Sequence, residues 1–404
     1  MTVTFNELLA TPPDFVHQAY GHLRESGDGT DIDADTGVAF VTRYADVSRI
    51  LKDAGTYSSK VLVPPTPLVE HDPNDPAQLK AFEHIRRFPQ FQDPPVHTRL
   101  RNLARHTFTP RSIGRLREAV DTVTEEIFTK LDHGQELDFV TDIAEKLPVW
   151  IIAHAMGFPV ADRQQLRLWT MAVGTALDPA VTGAQRRDAL RGTAEFIDYL
   201  EDLVANRRRD LGDDLISILV AAQGNGELES QAALVGTIVV LLAAGNITTA
   251  DLLSNGMKLF LDHPDQYEML VENPDLVNAA IEEVLRFEPS LKWDVRVVTE
   301  RDQVGNHEFA PGTFVMLGIA AANRDPRRFD DADRFNILRT NNQHLAFGAG
   351  VHYCIGAPLS RLEADVFFRQ MIARFPRLPK LNGELSYAND FAARSIRRFP
   401  IRLN

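Results

Sequence analysis

The chain has 404 residues, 44% of them hydrophobic and 25% charged, with a formal net charge of −13. This balance suits a globular protein with a large core, and its acidity excludes nucleic-acid binding, which needs a basic face. A single cysteine excludes intrachain disulfides and multi-cysteine zinc or iron–sulfur sites.

The start, Met1 to Leu9, lacks the basic and apolar blocks of a secretory signal. No stretch reaches the roughly twenty uninterrupted apolar residues of a membrane span. A cytoplasmic protein with no membrane anchor is expected. Val38-Ala39-Phe40-Val41 predicts a short strand. Val63-Pro64-Pro65-Thr66-Pro67 reads as an irregular loop and Asp93-Pro94-Pro95 as a turn before a helix. On that helix His97 and Arg101 stand four apart, on one face, where two cationic donors could hold a pair of carboxylates.

Apolar residues at three- and four-residue spacing predict helices over 112–132, 137–157, 161–177, 186–210, 229–261, 275–288 and 357–375. The longest contains Leu241-Leu242-Ala243-Ala244-Gly245-Asn246-Ile247-Thr248-Thr249, where small residues let another group approach the backbone. Glu283 and Arg286 are placed for an i,i+3 ion pair. Arg296-Val297-Val298 and Phe314-Val315-Met316-Leu317 predict short strands, with a hairpin and turn over Asn306 to Gly312 between them. Arg207-Arg208-Arg209 and Arg397-Arg398 read as solvated helix ends or turns. With no repeat, low-complexity segment or linker, the expectation is one domain over 1–404, mainly α with small β-sheets.

The lone cysteine lies in Phe347-Gly348-Ala349-Gly350-Val351-His352-Tyr353-Cys354-Ile355-Gly356, and Pro358 opens a helix just after it. A thiolate at that place is stabilised by the free N–H groups and dipole of the helix N-terminus. The glycines permit backbone conformations and approaches that a Cβ forbids. Such a thiolate suits one metal ion.

This stretch resembles the haem-binding loop of the cytochromes P-450, F-G-x-G-x-H-x-C-x-G, at every specified position. The resemblance runs from about residue 10 to the C-terminus and implies the cytochrome P-450 fold without a fused reductase. It implies haem b ligated by Cys354, with Phe347 and Gly348 beside the sulfur. His352, His97, Arg101 and Arg296 would hold the propionates, with Asp294 alongside. Glu283 and Arg286 match the family's E-x-x-R, whose partner arginine would be Arg334, in a structural ion-pair network behind the cysteine loop. Ala244 and Gly245 would flank the dioxygen groove and Thr248 would be the oxygen-activating alcohol. The substrate pocket would be lined by the loop 60–92, Leu242, Ala243, Leu291, Lys292, Trp293, Arg394 and Ser395. Most of these are apolar, which fits a hydrophobic small molecule.

The chain departs from the family at one place. Where A-G-x-[DE]-T-T carries an acid, this sequence has Ile247, which cannot relay protons. Asn246 and Asp251 are nearby in sequence, but Asp251 is a turn further on and is expected to point elsewhere. The implied activity is hydroxylation or epoxidation with dioxygen, in secondary metabolism, with electrons from a separate ferredoxin and ferredoxin reductase. Arg105 and Arg361 are the expected docking cations on the cysteine side. Ile247 keeps peroxide-driven oxidation, desaturation or ring coupling open as alternatives, and a non-catalytic haem-binding protein is a further one.

Overall fold

Helices occupy nearly all the segments whose apolar spacing predicts them. The computed structural model describes residues 7–8, 11–12, 15–62, 70–105, 110–178, 180–212, 214–226, 228, 230–388 and 392–404. Among these are helices Pro110–Phe128, Arg163–Leu177, Gly183–Arg207, Gln231–Asp262, Val277–Phe287 and Ala357–Arg374, each within a few residues of expectation. The Pro-rich loop Val63 to Pro67 lies outside the described residues. The turn Asp93-Pro94-Pro95 does lead into a helix, Val96–Arg105.

The central helix, Gln231–Asp262, starts where Ser230 Oγ accepts from Ala233 N at 3.1 Å. That contact satisfies one of the donors a helix leaves open at its N-terminus. By length and composition it could cross a membrane, but most of its side chains are buried in the protein core. Arg163–Leu177 and Ala357–Arg374 are among the helices packed against it.

One segment corrects the spacing argument. The predicted helix 137–157 is helical over Lys146–Met156, whereas Glu136–Asp138 forms a strand, followed by a wider π-type turn over Val140–Ala144. The strand pairs with Pro400–Arg402, more than 250 residues away, a contact that local periodicity does not encode. Asp138 then turns the chain, its Oδ1 accepting from Val140 N at 3.0 Å.

Numbering strands in chain order, β1 is Thr30–Ile32, β2 Ala39–Val41, β3 Tyr57–Ser58, β4 Glu136–Asp138 and β5 Trp293–Val298. β6 is Asp302–Val304, β7 His307–Phe309 and β8 Phe314–Gly318. The main sheet runs β1-β2-β8-β5-β3, with β2 parallel to β8 and the other pairs antiparallel. β6 and β7 make the expected hairpin, with Gly305 at positive φ in its turn. The sheet carries Arg296 on β5, and Ser59 just beyond β3, to the edge of the cysteine loop.

Candidate active site

The cysteine loop is shaped by its glycines and by helix-terminal amides. Gly348 and Gly350 both have φ of +68°. At Gly350 a Cβ would lie 2.6 Å from Leu51 O and 2.8 Å from Lys52 Cα, so only glycine lets the loop rest on the end of helix Tyr44–Lys52. Cys354 N donates to Phe347 O at 2.9 Å, closing the loop on itself. Burial pushes the Cys354 thiol up, while the backbone amides of Gly356 and Ala357 and the charges of Arg101 and Arg361 favour the thiolate. Arg361 sits over the Phe347 ring, 4.6 Å from its centroid, and is held there by Glu282 at 2.6 and 2.9 Å.

Two histidines and the charges of Arg101 and Arg296 meet at one edge of this loop. The His97 and His352 rings are 3.9 Å apart, and Ser59 Oγ lies 3.1 Å from His352 Nε2. Arg296 is buried, donating to Asp294 Oδ1 at 2.8 Å, and its charge acts on both histidines. Burial, with Arg101 and Arg296 nearby, pushes His97 down to about 4. His352 is pushed down to about 3 by burial, His97 and Arg296. His97 Nδ1 is buried and finds no protein partner among the described residues. A buried imidazole nitrogen without a partner, beside the Arg101 and Arg296 charges, fits an anionic guest such as the propionate edge of a haem.

The central helix shows where the guest's face would lie. Most of its residues from Ala233 to Phe260 are buried, yet Ala244 is exposed and Leu241, Gly245 and Thr248 are partly so. At 100° per residue these four form one stripe that the protein's own side chains leave uncovered. Thr248 Oγ1 donates to Ala244 O at 2.7 Å, a back-bond that loosens the helix there. The predicted pocket residues Leu242 and Ala243 are corrected by the same geometry: both are rotated off the stripe and buried in the core. Thr249 Oγ1, beside the stripe, donates to Ser360 Oγ at 3.2 Å, linking it to the helix after Cys354.

The ion-pair network is present with one substitution of partner. Glu283 and Arg286 are fully buried, their side chains joined at 2.8 and 2.9 Å. Arg334, predicted to complete the set, is exposed and offers only its carbonyl, to Arg286 Nη2 at 3.2 Å. Arg339 takes the place, its Nε 3.2 Å from both Glu283 oxygens, with Asn342 Nδ2 at 3.0 Å. Arg286 also donates to Asn323 O at 2.8 Å, and Asn323 Oδ1 accepts from Leu345 N at 2.7 Å. Through Asn323 the network sets the start of the cysteine loop.

The remaining predicted pocket residues divide. Leu291 is 42% exposed and bridges Ala393. Lys292 is buried, with Ala392 O accepting from its amide at 2.7 Å. Trp293 is a core residue, its Nε1 donating to Tyr20 Oη at 3.1 Å with Phe40 packed beside it. Arg394 turns away to Glu288, at 3.2 Å, and stacks on Tyr387. Ser395 donates to Asp251 Oδ2 at 3.0 Å. Both line a cavity of about 330 Å³ on the flank of the central helix away from Ala244 and Thr248. The alternation of β5 explains Trp293, and long-range pairing explains Arg394; neither is legible from position alone.

The fold and this geometry agree with the comparisons. The sequence profile described as Cytochrome P450 matches residues 36–385. A cytochrome P450 of Bacillus subtilis (strain 168) is 36% identical over 330 residues, 81% of this chain and 80% of that one. The 6-deoxyerythronolide B hydroxylase of Saccharopolyspora erythraea is 31% identical over 96% of each chain. The crystal structure of P450BioI in complex with hexadec-9Z-enoic acid ligated acyl carrier protein matches with a TM-score of 0.89, at 28% identity, over 97% of this chain and 99% of that one. This chain belongs to the cytochrome P450 family: it is a monooxygenase and its cofactor is haem b.

Proposed function

We propose that this monooxygenase hydroxylates or epoxidises a hydrophobic small molecule of secondary metabolism, with Cys354 ligating the iron. The observation that carries the reading is the meeting of three features: a half-buried Cys354 facing helix amides, an edge beside Arg101 and Arg296 with an unpartnered His97 Nδ1, and an uncovered stripe at Ala244 and Thr248. Haem bound there supplies the dioxygen chemistry, the thiolate favouring O–O cleavage. One oxygen atom enters the substrate and the other leaves as water, consuming two electrons and two protons.

The chain's own residues supply ligand, orientation and protons. His97, Arg101, Arg296 and His352 hold the propionate edge. Thr248 presents a hydroxyl at the open stripe, and Leu241, Ala244 and Leu291 give the substrate an apolar wall. Relatives named as 6-deoxyerythronolide B hydroxylase and erythromycin C-12 hydroxylase support a product of secondary metabolism. Electrons come from a ferredoxin and its reductase, and a cytoplasmic location belongs to the same reading.

The ligand assignment is tested by the absorbance of the reduced, carbon monoxide-bound protein. Wild type should give the red-shifted thiolate-type band, and Cys354→His the band of histidine-ligated haem. Because the chain holds no other cysteine, survival of the thiolate-type band in Cys354→His overturns the assignment. The substrate class is tested by screening the ferric protein for Soret shifts against apolar polyketide-like and polar compound sets. Hits confined to the polar set overturn it.

A further inference from the structure

The guanidinium of Arg394 turns back into the protein, and what it meets there ties together one edge of the site. Segments 290–292 and 392–394 pair as a short antiparallel bridge, with Leu291 opposite Ala393. Lys292 N donates to Ala392 O at 2.7 Å and Arg394 N to Ser290 O at 2.8 Å. Both halves grip the central helix. Ser290 Oγ donates to Thr248 O at 2.7 Å, Asn255 Nδ2 to Arg394 O at 3.0 Å and Ser395 Oγ to Asp251 Oδ2 at 3.0 Å. The exposed Leu291 therefore stands one residue from the hydroxyl that holds the Thr248 carbonyl. Two backbone hydrogen bonds do not by themselves keep a two-stranded pairing in place. The side-chain anchor is Glu288. Its Oε1 accepts from Arg394 Nε at 3.2 Å and lies 2.8 Å from His17 Nε2, while Arg324 Nη2 is 3.9 Å from Oε2. These partners come from the helix Val16–Glu25, from a turn beyond β8 and from the bridge itself. Burial raises Glu288, but His17, Arg394 and Arg324 outweigh it and hold the carboxyl well below the usual carboxylate range. Arg394 is buried and lies over the Tyr387 ring, 3.8 Å from its centroid, which confines the pair.

We propose that Glu288 is a positioning residue for substrate selection: by holding Arg394 it fixes the Leu291–Ala393 bridge against Thr248 and so sets the wall on which a substrate lies. This rests on the monooxygenase site proposed above, in which Leu291 belongs to the apolar wall. Neither Glu288 nor Arg394 touches the substrate, and both act through Leu291. Without the pair the bridge slackens, and Leu291 no longer keeps one distance from the Thr248 turn. Discrimination between guests that differ by an apolar group then falls, while ligation of the iron itself is untouched.

Imidazole and 4-phenylimidazole serve as probes of the ferric, haem-loaded enzyme, because both ligate iron through nitrogen and only the second carries an apolar ring outward. Soret titrations give a Kd for each, and their ratio is the readout. Leu291→Ala should weaken 4-phenylimidazole about tenfold relative to imidazole, what the loss of one apolar side-chain contact is worth. Glu288→Gln should do the same from outside the pocket. Should Glu288→Gln fail to take up haem, Arg394→Met supplies the measurement, since Glu288 there keeps His17 and Arg324. Arg394→Lys, which retains the charge, should recover most of the wild-type ratio. In Glu288→Gln/Leu291→Ala the ratio should fall no further than in Leu291→Ala alone, because coupled residues do not add. A merely structural role for the pair lowers thermal stability and leaves the ratio where it was, and that result overturns the proposal. So does a Glu288→Gln effect that adds in full to that of Leu291→Ala. An unchanged ratio in Leu291→Ala itself instead overturns the wall assigned in the site reading, and the proposal with it.

Discussion

Ile247 rests its Cδ1 on Gly174, where a Cβ would lie only 2.7 Å away. The contact sets the spacing between the central helix and helix Arg163–Leu177 at the position where the family carries an acid. Gly174→Ala should be nearly neutral. The tip of Ile247 can turn into the neighbouring cavity, and alanine gains about 1 kcal/mol of helix propensity over glycine. Gly174→Leu should cost about 1–3 kcal/mol by overpacking. Urea unfolding of the two variants checks the contrast, and equal losses in both would show that Ile247 cannot move.

Arg339, rather than Arg334, should govern the buried network. Glu283→Gln leaves Arg286 buried and uncompensated, a loss of roughly 3–5 kcal/mol. Arg339→Ala should cost about 1–3 kcal/mol, because Glu283 keeps Arg286 but loses a charged hydrogen-bond partner. Arg334→Ala should stay within about 0.5 kcal/mol, as expected for an exposed side chain. Unfolding free energies and haem content of the purified variants rank the three. A larger effect at Arg334 than at Arg339 would reverse the assignment.

The contrast between these arginines shows what the sequence made legible. Short-range signals carried through. Gly348 and Gly350 do take left-handed conformations, the helix does begin beside Cys354, and Glu283 does meet Arg286 at i,i+3. Rotation and long-range pairing did not. Leu242 and Ala243 differ from Ala244 only by one or two steps of 100°, yet they face the core. Arg334 and Arg339 share a loop whose course is set by carbonyls gathered around Arg286 and around Arg339 itself, and no local pattern records that. The strand within 137–157 needed its partner near the C-terminus.

Burial raises Glu363 well above the ordinary carboxylate range, which favours its neutral form in the fold. A raised native value gives stability that is complete below the unfolded value and lost as pH rises toward the native one. Between about pH 5 and the native value, wild type should therefore lose about 1.4 kcal/mol per pH unit relative to Glu363→Gln. Denaturant unfolding of both proteins at pH 5, 6, 7 and 8 measures the difference. Parallel stability curves would mean that Glu363 ionises freely when buried.

Glu282 behaves in the opposite sense. Burial alone would raise it, but hydrogen bonds from Arg361 and His344 outweigh that and hold it down at about 2. A depressed value gives stability present above the unfolded value and lost as pH falls from about 4.5 toward 2. Wild type should lose about 1–3 kcal/mol more than Arg361→Ala over that acid range. The same variant should disturb the thiolate-type spectrum, because Phe347 loses the guanidinium packed on its ring. Matching acid sensitivity in the two proteins would count against the pairing.

On the proposed reading that a ferredoxin docks on the cysteine side, the glycine at 350 bears on which redox protein the enzyme accepts. By letting the loop rest on Leu51 and Lys52, it makes the cysteine-side face a composite of two stretches nearly 300 residues apart. Arg361 is committed to Glu282 and the Arg105 side chain lies outside the described residues, whereas Lys52 is exposed at the seam. An acidic ferredoxin would then read charge from both stretches together. A chimera carrying a relative's first 60 residues, with every residue of the cysteine loop retained, should change its preferred electron donor. Stopped-flow reduction by a panel of ferredoxins would register that exchange as a reordering of rates and of their salt dependence, with Lys52→Glu reproducing part of it.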